Sequence, residues 1–173
     1  MEQLNHYTIE NQQQKFPIAV VCDALRTPEN IGMCFRVCEG FGVQHIYLHE
    51  TSPNLENRIV KKTARNTINQ IKHDYYSDFN QLVEKLKNDG YAVVGIEITD
   101  KSQPISSYDF TKWDKVAFVM GNERYGIADL QLIDETVHIP MYGRNSSMNV
   151  IHSLNIVLYE ATNQLVNTNL TTN

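Results

Sequence analysis

The sequence predicts an α/β protein in which a mainly parallel sheet is flanked by helices. Short continuous apolar runs recur along the chain, as a sheet covered on both faces requires. Segments with apolar residues at helical spacing stand between those runs, as parallel strands joined by crossover connections require. The length of 173 residues, with 42% hydrophobic and 20% charged residues, fits one domain of ordinary globular composition. A chain near this size buries roughly two-thirds of its unfolded surface and needs no staple. The expected division is a polar arm or short first helix over 1–15, a single domain over 16–166 and a tail over 167–173.

The elements follow in order. Residues 18–22 (IAVVC) read as a buried strand, and 23–30 (DALRTPEN) as a loop rich in Pro, Asp and Asn. From Ile31 a helix is expected, with Ile31, Cys34, Phe35 and Cys38 forming a core stripe at i, i+3, i+4 and i+7. Arg36 lies about 140° around the wheel from that stripe, and Met33 and Val37 form a second apolar strip suited to a second subunit. Gly40-Phe41-Gly42 stops the helix before a strand at 45–48 (HIYL), and a loop over 51–57 precedes a basic stretch.

Asp78 is placed to cap a helix that buries Phe79, Leu82, Val83 and Leu86 and ends at Gly90. Residues 91–98 (YAVVGIEI) read as a strand, 99–111 as a polar loop and 115–120 (KVAFVM) as another strand. A short helix is expected over 128–134 and a last strand at 136–139 (TVHI), ended by Pro140. Residues 148–166 read as a long amphipathic helix with Ile151, Leu154, Leu158 and Ala161 on one face.

Composition excludes several classes. The N-terminal segment lacks the apolar stretch of a signal peptide, and no run of about 18 apolar residues could span a membrane. Three cysteines, Cys22, Cys34 and Cys38, are an odd number in a chain with its own core. They fit packing in a reducing cytoplasm better than a disulfide framework. Cys34 and Cys38 share a helix face, but nothing nearby completes four metal ligands, so no metal is expected. His138 and His152 fall in a strand and a helix, where packing is the simpler role.

The net charge of −5 at first disfavours a nucleic-acid partner, whose phosphates are neutralised by Lys and Arg. The charge is unevenly spread, however. Between Glu56 and Lys72, five basic residues (Arg58, Lys61, Lys62, Arg65 and Lys72) and one acid give +4, leaving −9 elsewhere. This segment is either a solvated helix face or a phosphate-binding patch, and Arg26 and Arg144 stand in loops that extend the second reading.

Ligands in open α/β sheets bind beyond the carboxyl ends of the strands. Three polar loops are expected there, at 23–30, 121–126 (GNERYG) and 140–149 (PMYGRNSSMN), the last two bearing glycine. GxxxxGK[ST], a complete GxGxxG and GxSxG are all missing, which weakens P-loop, ordinary Rossmann and α/β-hydrolase readings.

Together these loops resemble the SpoU/TrmH family of S-adenosylmethionine-dependent RNA 2′-O-ribose methyltransferases, in the SPOUT superfamily. The first family motif appears as Asn30-Ile31-Gly32-Met33-Cys34-Phe35-Arg36. The second is Phe118-Val119-Met120-Gly121-Asn122-Glu123-Arg124-Tyr125-Gly126. The third is Ile139-Pro140-Met141 followed by Ser147-Met148-Asn149-Val150, with Met148 in place of Leu, a swap of similar volume.

The resemblance implies a deep C-terminal trefoil knot and a homodimer with active sites at the interface. It also implies S-adenosylmethionine bound near Gly121, Ile139, Met141 and Met148, with Ile96 and Glu97 alongside. Methyl transfer to a ribose hydroxyl needs alignment and removal of a proton from a poor acid; a sulfonium leaving group needs no metal. By resemblance Arg36 stands closest to the chemistry. A guanidinium keeps its proton to about pH 12, so a clamp on the phosphate beside the ribose is a better role than base. Asn30 would position Arg36 or the ribose, Glu123 would fix its loop or another cation, and Ser147 and Asn149 would orient the hydroxyl and the helix start. Without an accessory RNA-binding domain in these residues, tRNA is the expected substrate. The alternatives are rRNA, the anticodon wobble ribose, or a non-catalytic RNA-binding module.

Overall fold

The computed structural model describes residues 12–171, with side chains through Thr168. Most of the expected N-terminal arm therefore lies outside the described residues, and 12–15 are exposed and irregular. The elements are β1 (Phe16–Cys22), α1 (Pro28–Gly40), β2 (Val43–His49), α2 (Arg58–Ala64), β3 (Lys72–Tyr76) and α3 (Phe79–Asn88). They continue with β4 (Ala92–Ile96), β5 (Gln103–Pro104), β6 (Val116–Met120), β7 (Glu135–His138) and α4 (Val150–Thr171). One sheet runs in the order β3-β2-β1-β6-β4-β7-β5, and every pairing in it is parallel.

Both faces are covered. Ile18, Val20 and Cys22 of β1 face α1 and α4, while Ala19 and Val21 face α3, and all five are fully buried. That is why β1 reads as an unbroken apolar run rather than an alternating one. The stripe Ile31, Cys34, Phe35 and Cys38 is fully buried, as its spacing predicts. So are Leu154, Leu158 and Ala161, with Ile151 nearly so; burying a side chain such as Leu contributes about 1.5–3 kcal/mol. Asp78 accepts a bond from Gln81 N at 3.1 Å, and Gly90 takes φ +85° after α3. Met33 and Val37 are half-buried and pack against this chain's own core.

Gly32 explains how α1 and α2 approach. A Cβ there would stand 2.7 Å from both Thr63 Cβ and the Val60 carbonyl oxygen, and 2.9 Å from Ala64 N. The basic segment therefore lies against the first turn of α1. The glycine between Asn30 and Arg36 is a packing requirement.

Several elements differ from expectation. β3 starts at Lys72, the end of the basic stretch, and has no strand signal, because KHDYY is an edge strand whose side chains are exposed or half-buried and carries no apolar alternation. The expected polar loop 99–111 contains buried Ile105, Tyr108 and Phe110. Gln164 of α4 fastens it, accepting from Phe110 N at 2.9 Å and donating to Tyr108 O at 3.0 Å. The helix expected over 128–134 is a single 3-10 turn, Leu130–Leu132. Asp134 is drawn out of it by Val93 N at 2.8 Å and by Lys87. The last helix begins two residues late because Asn149 caps it, accepting from Ile151 N at 2.9 Å, and it continues through Thr171. His152 is exposed on that helix rather than packed.

Candidate functional site

The register sets which loops can meet. Cys22 and Ile96 both pair with Met120, and Ile96 also pairs with Val137. The strands β1, β6, β4 and β7 therefore end along one edge, and the loops after β1, β6 and β7 open there together. Between β1 and β6 the strand order reverses, the position at which connections part and leave a crevice.

The loop after β6 folds back on itself. Asn122 N donates to Gly126 O and Gly126 N to Asn122 O, both at 2.9 Å. A Cβ on Gly121 would lie 2.2 Å from the Gly126 carbonyl carbon, so only glycine allows that closure. Gly126 has φ +71°, and a Cβ on it would meet Glu97 Oε2 at 2.8 Å. The loop is tied to its neighbour by Asn122, which donates to Ala24 O at 2.6 Å, and by buried Asp23, which accepts from Ala128 N at 2.7 Å.

Glu123 then joins the motifs. Its carboxylate accepts from Arg26 N at 3.1 Å, Thr27 N at 3.2 Å and Asn30 Nδ2 at 2.9 Å. The Asn30 Oδ1 accepts in turn from Asn149 Nδ2 at 3.2 Å. One residue from each motif thus belongs to a single chain of hydrogen bonds at the start of α1, where a negative charge is favoured. Burial alone would raise the Glu123 pKa, but the Asn30 amide and backbone N–H groups hold it below its ordinary value. These bonds hold the loop after β6 to the loop after β1, and among the described residues no cation pairs with Glu123.

Beside this junction lies a cavity of about 560 Å³. Ile96, Glu97, Gly121, Ile139, Met141 and Met148, the six residues expected around the cofactor, all line it, together with Glu123, Ser147 and Asn149. Several lining residues had no expected site role, among them Ile98, Tyr125, Leu130 and His138. Ser102 Oγ accepts from Thr99 N at 3.0 Å and donates to Thr99 O at 2.8 Å, so its 2.9 Å contact to His138 Nδ1 uses an Nδ1–H donor. That leaves Nε2 as the acceptor nitrogen. The period of a strand gives no signal for such a role.

Other expected residues stand apart. Arg36 is exposed, does not line the cavity and has no hydrogen bond or ion pair among the described residues. It lies six positions beyond Asn30, on another face of α1. Arg26 and Arg144 are exposed on the loops, and Arg58, Lys62 and Arg65 on α2 and its end. Lys61 is paired with Glu56. Arg65 caps α2 at φ 56° and ψ −126°, a conformation that costs a non-glycine residue about 1–3 kcal/mol.

The three cysteines form a contiguous buried group, with Sγ separations of 3.6 Å for Cys22 and Cys34 and 3.8 Å for Cys34 and Cys38. Contact with Cys34 and burial push the Cys22 thiol up, and burial pushes up Cys38, so the cluster serves the core.

Comparison with known proteins agrees with this geometry. The model of the SpoU rRNA Methylase family matches residues 17–159. The 23S rRNA (guanosine-2′-O-)-methyltransferase RlmB of Neisseria meningitidis is 29% identical over 94% of this chain and 66% of its own length. The tRNA (guanosine(18)-2′-O)-methyltransferase of Aquifex aeolicus is 27% identical over 88% of this chain and 72% of its own. The chain thus spans about two-thirds of the length of these relatives. The crystal structure of the A. aeolicus TrmH/SpoU tRNA modifying enzyme superposes with a TM-score of 0.80 at 23% identity, covering 92% of this chain and 81% of that one. An AdoMet-bound rRNA methyltransferase from Sinorhizobium meliloti gives 0.79 at 22% identity, over 88% and 58%. With three motifs joined at one sheet edge and a family model that matches most of its length, the chain belongs to the SpoU methylase family.

Proposed function

We propose that this chain binds S-adenosylmethionine in the cavity at the strand ends and methylates a ribose 2′-hydroxyl of RNA, with tRNA the first substrate to test. The observation that carries the reading is the Glu123–Asn30–Asn149 chain, which ties the first motif to a cavity walled by the second and third motif loops. At about 560 Å³ the cavity falls within the roughly 300–1,000 Å³ of small-ligand sites. Ile96, Ile139 and Met148 offer it apolar walls, and the closed 121–126 loop offers backbone groups at close range. When bound, S-adenosylmethionine supplies a methyl group on a sulfonium leaving group.

The chain's own residues supply alignment. Glu123 and Asn30 hold the loops after β1 and β6 in register, and Asn149 carries that order to the first turn of α4. Ser147, exposed at the mouth, presents a hydroxyl for orienting the ribose. Arg36 clamps the neighbouring phosphate. Its position outside the cavity supports an active form that is a homodimer, in which a second copy brings Arg36 to a site at the interface.

Val60, Thr63 and Ala64 of α2 pack against α1 at Gly32, two residues from Asn30. This leaves Arg58, Lys61, Lys62 and Arg65 exposed and supports a backbone-binding role for them together with Arg26 and Arg144. We place the working unit in a single domain over 16–166, in the cytoplasm. No described helix is long and apolar enough to cross a membrane. The connection 97–102 arches across the end of β7, which lies between β4 and β5. A chain passing under that arch toward α4 would form the trefoil knot.

An rRNA substrate is the second reading, favoured by the relative named for 23S rRNA. Mass-spectrometric mapping of ribose methylation in tRNA and rRNA, after incubation with the protein and S-adenosylmethionine, separates the two. Arg36→Ala should abolish methylation while calorimetry shows unchanged cofactor affinity; normal turnover in that variant refutes its role.

A further inference from the structure

Of the nine large hydrophobic side chains exposed among the described residues, six are gathered at the cavity, and Ile59, Tyr75 and Tyr159 stand elsewhere. Ile98, Tyr125, Leu130, Met141 and Met148 are all exposed, and all line the cavity. Tyr142, 96% exposed, follows Met141 directly. A single exposed apolar residue is ordinary, but a cluster at a cavity mouth marks a binding face.

The two tyrosines differ from the aliphatic residues in their surroundings. Tyr125 is 66% exposed on the lip formed by the loop after β6. The Arg124 guanidinium lies 5.2 Å from its ring centroid, which covers one side of the ring. Tyr142 and exposed Arg144 belong to the segment after β7, whose Met141, Ser146 and Met148 line the same cavity. Each of these two lining segments thus carries one tyrosine and one arginine.

The nearby carboxylates are engaged elsewhere. Glu123 accepts three hydrogen bonds from the α1 side, and Glu97 accepts from Ile98 N at 3.0 Å. Among the described residues neither forms an ion pair with Arg124 or Arg144. Flat rings beside guanidinium groups are the surface that unpaired nucleotides use, because every base has a face to stack and a phosphate to neutralise.

We propose that Tyr125 and Tyr142 stack against the bases of an unpaired RNA segment at the target ribose, with Arg124 and Arg144 holding its phosphates. This rests on the methyltransferase reading and adds to it the residues that seat the nucleotides flanking the target ribose. Tyr125 and Tyr142 are positioning residues that set which RNA enters.

The test uses the full chain and a fluorescein-labelled 15-nucleotide single-stranded RNA, alone and annealed to its complement, read by anisotropy. The wild type should bind the single strand more tightly than the duplex. Tyr125→Ala and Tyr142→Ala should each weaken single-strand binding by about 5- to 100-fold, the range for losing one base–aromatic stack. Tyr125→Phe and Tyr142→Phe should stay within about twofold, because the ring rather than the hydroxyl carries stacking. Unchanged affinity in the Ala variants, equal loss in the Phe variants, or a wild type that prefers duplex overturns the proposal. So does weakened S-adenosylmethionine binding in Tyr142→Ala, which would assign the ring to the cofactor, or a change in its mass by light scattering, which would assign it to a subunit contact. A wild type that binds the single strand but gives no calorimetric signal with S-adenosylmethionine instead refutes the methyltransferase reading and leaves the stacking result standing.

Discussion

Asn30→Asp replaces one atom of a buried amide and sets two carboxylates against each other. Asn30 is 7% exposed, so the new carboxylate cannot turn to water. It would lie about where the amide nitrogen now stands, 2.9 Å from Glu123 Oε1. Two unit charges at that distance repel by about 1.4 kcal/mol at the permittivity of water and about 6 kcal/mol at an effective value of 20. Glu123 is exposed, which favours the lower end, and Asn149 Nδ2 still has an oxygen to donate to. A net loss of about 3 kcal/mol follows once removal of the charge-assisted hydrogen bond is included. For a chain of this size that is about 6–12 °C in Tm, at 2–4 °C per kcal/mol.

The pH dependence has a definite sign. Repulsion between the two carboxylates raises the pKa of the pair above the ordinary carboxylate range. As the pH falls one proton returns, and an O–H···O bond replaces the repulsion. The deficit should therefore be full at pH 7.5 and largely gone at pH 5. Asn30→Ala should instead show a deficit that does not change over this range, because wild-type Glu123 is held below its ordinary value of 4.5 and stays ionised throughout. Thermal melts followed by circular dichroism at both pH values, with all three proteins, check this. An Asn30→Asp deficit of equal size at pH 5 and 7.5 would refute the direct contact between Asn30 and Glu123.

Two further outcomes follow from the geometry. Gly32→Ala should cost about 1–3 kcal/mol as overpacking in a urea melt, and Thr63→Gly should not rescue it, because the Val60 carbonyl oxygen remains 2.7 Å from the added carbon. Lys62→Glu with Arg65→Glu should weaken RNA binding and reduce the slope of log affinity against log salt by about one for each phosphate that is no longer neutralised. A filter-binding series from 50 to 300 mM salt with an unchanged slope would remove α2 from the interface.

Much of the site was legible because its residues lie close together in sequence within each motif. Asn30, Glu123 and Asn149 could be named from short patterns, and the six residues expected around the cofactor do line one cavity. Backbone demands made the glycines legible too: Gly121 and Gly126 serve a turn that closes on itself. What the patterns could not supply was the joining of motifs that lie about ninety and a hundred and twenty residues apart, because Glu123 reaches Asn30 and Asn30 reaches Asn149 only across strand ends. The same is true of His138, whose tautomer depends on Ser102 thirty-six residues away.

The fold divides along the same line. The sequence by itself determined the α/β class, the four main buried strands and the inward faces of α1, α3 and α4, since these depend on local periodicity and the burial of apolar stripes. The edge strand β3 and the packed segment around Tyr108 and Phe110 depended on tertiary structure. The first is stabilised by its pairing with β2 and the second by its packing on α4 and Phe118, and neither carries a period of its own. The strand order is likewise a tertiary result. Placing β6 beside β1 brings the second motif to the first, and inserting β7 between β4 and β5 brings the third to both. Hydrogen-bond register between strands far apart in the chain, rather than any local preference, is what gathers three short motifs into one site.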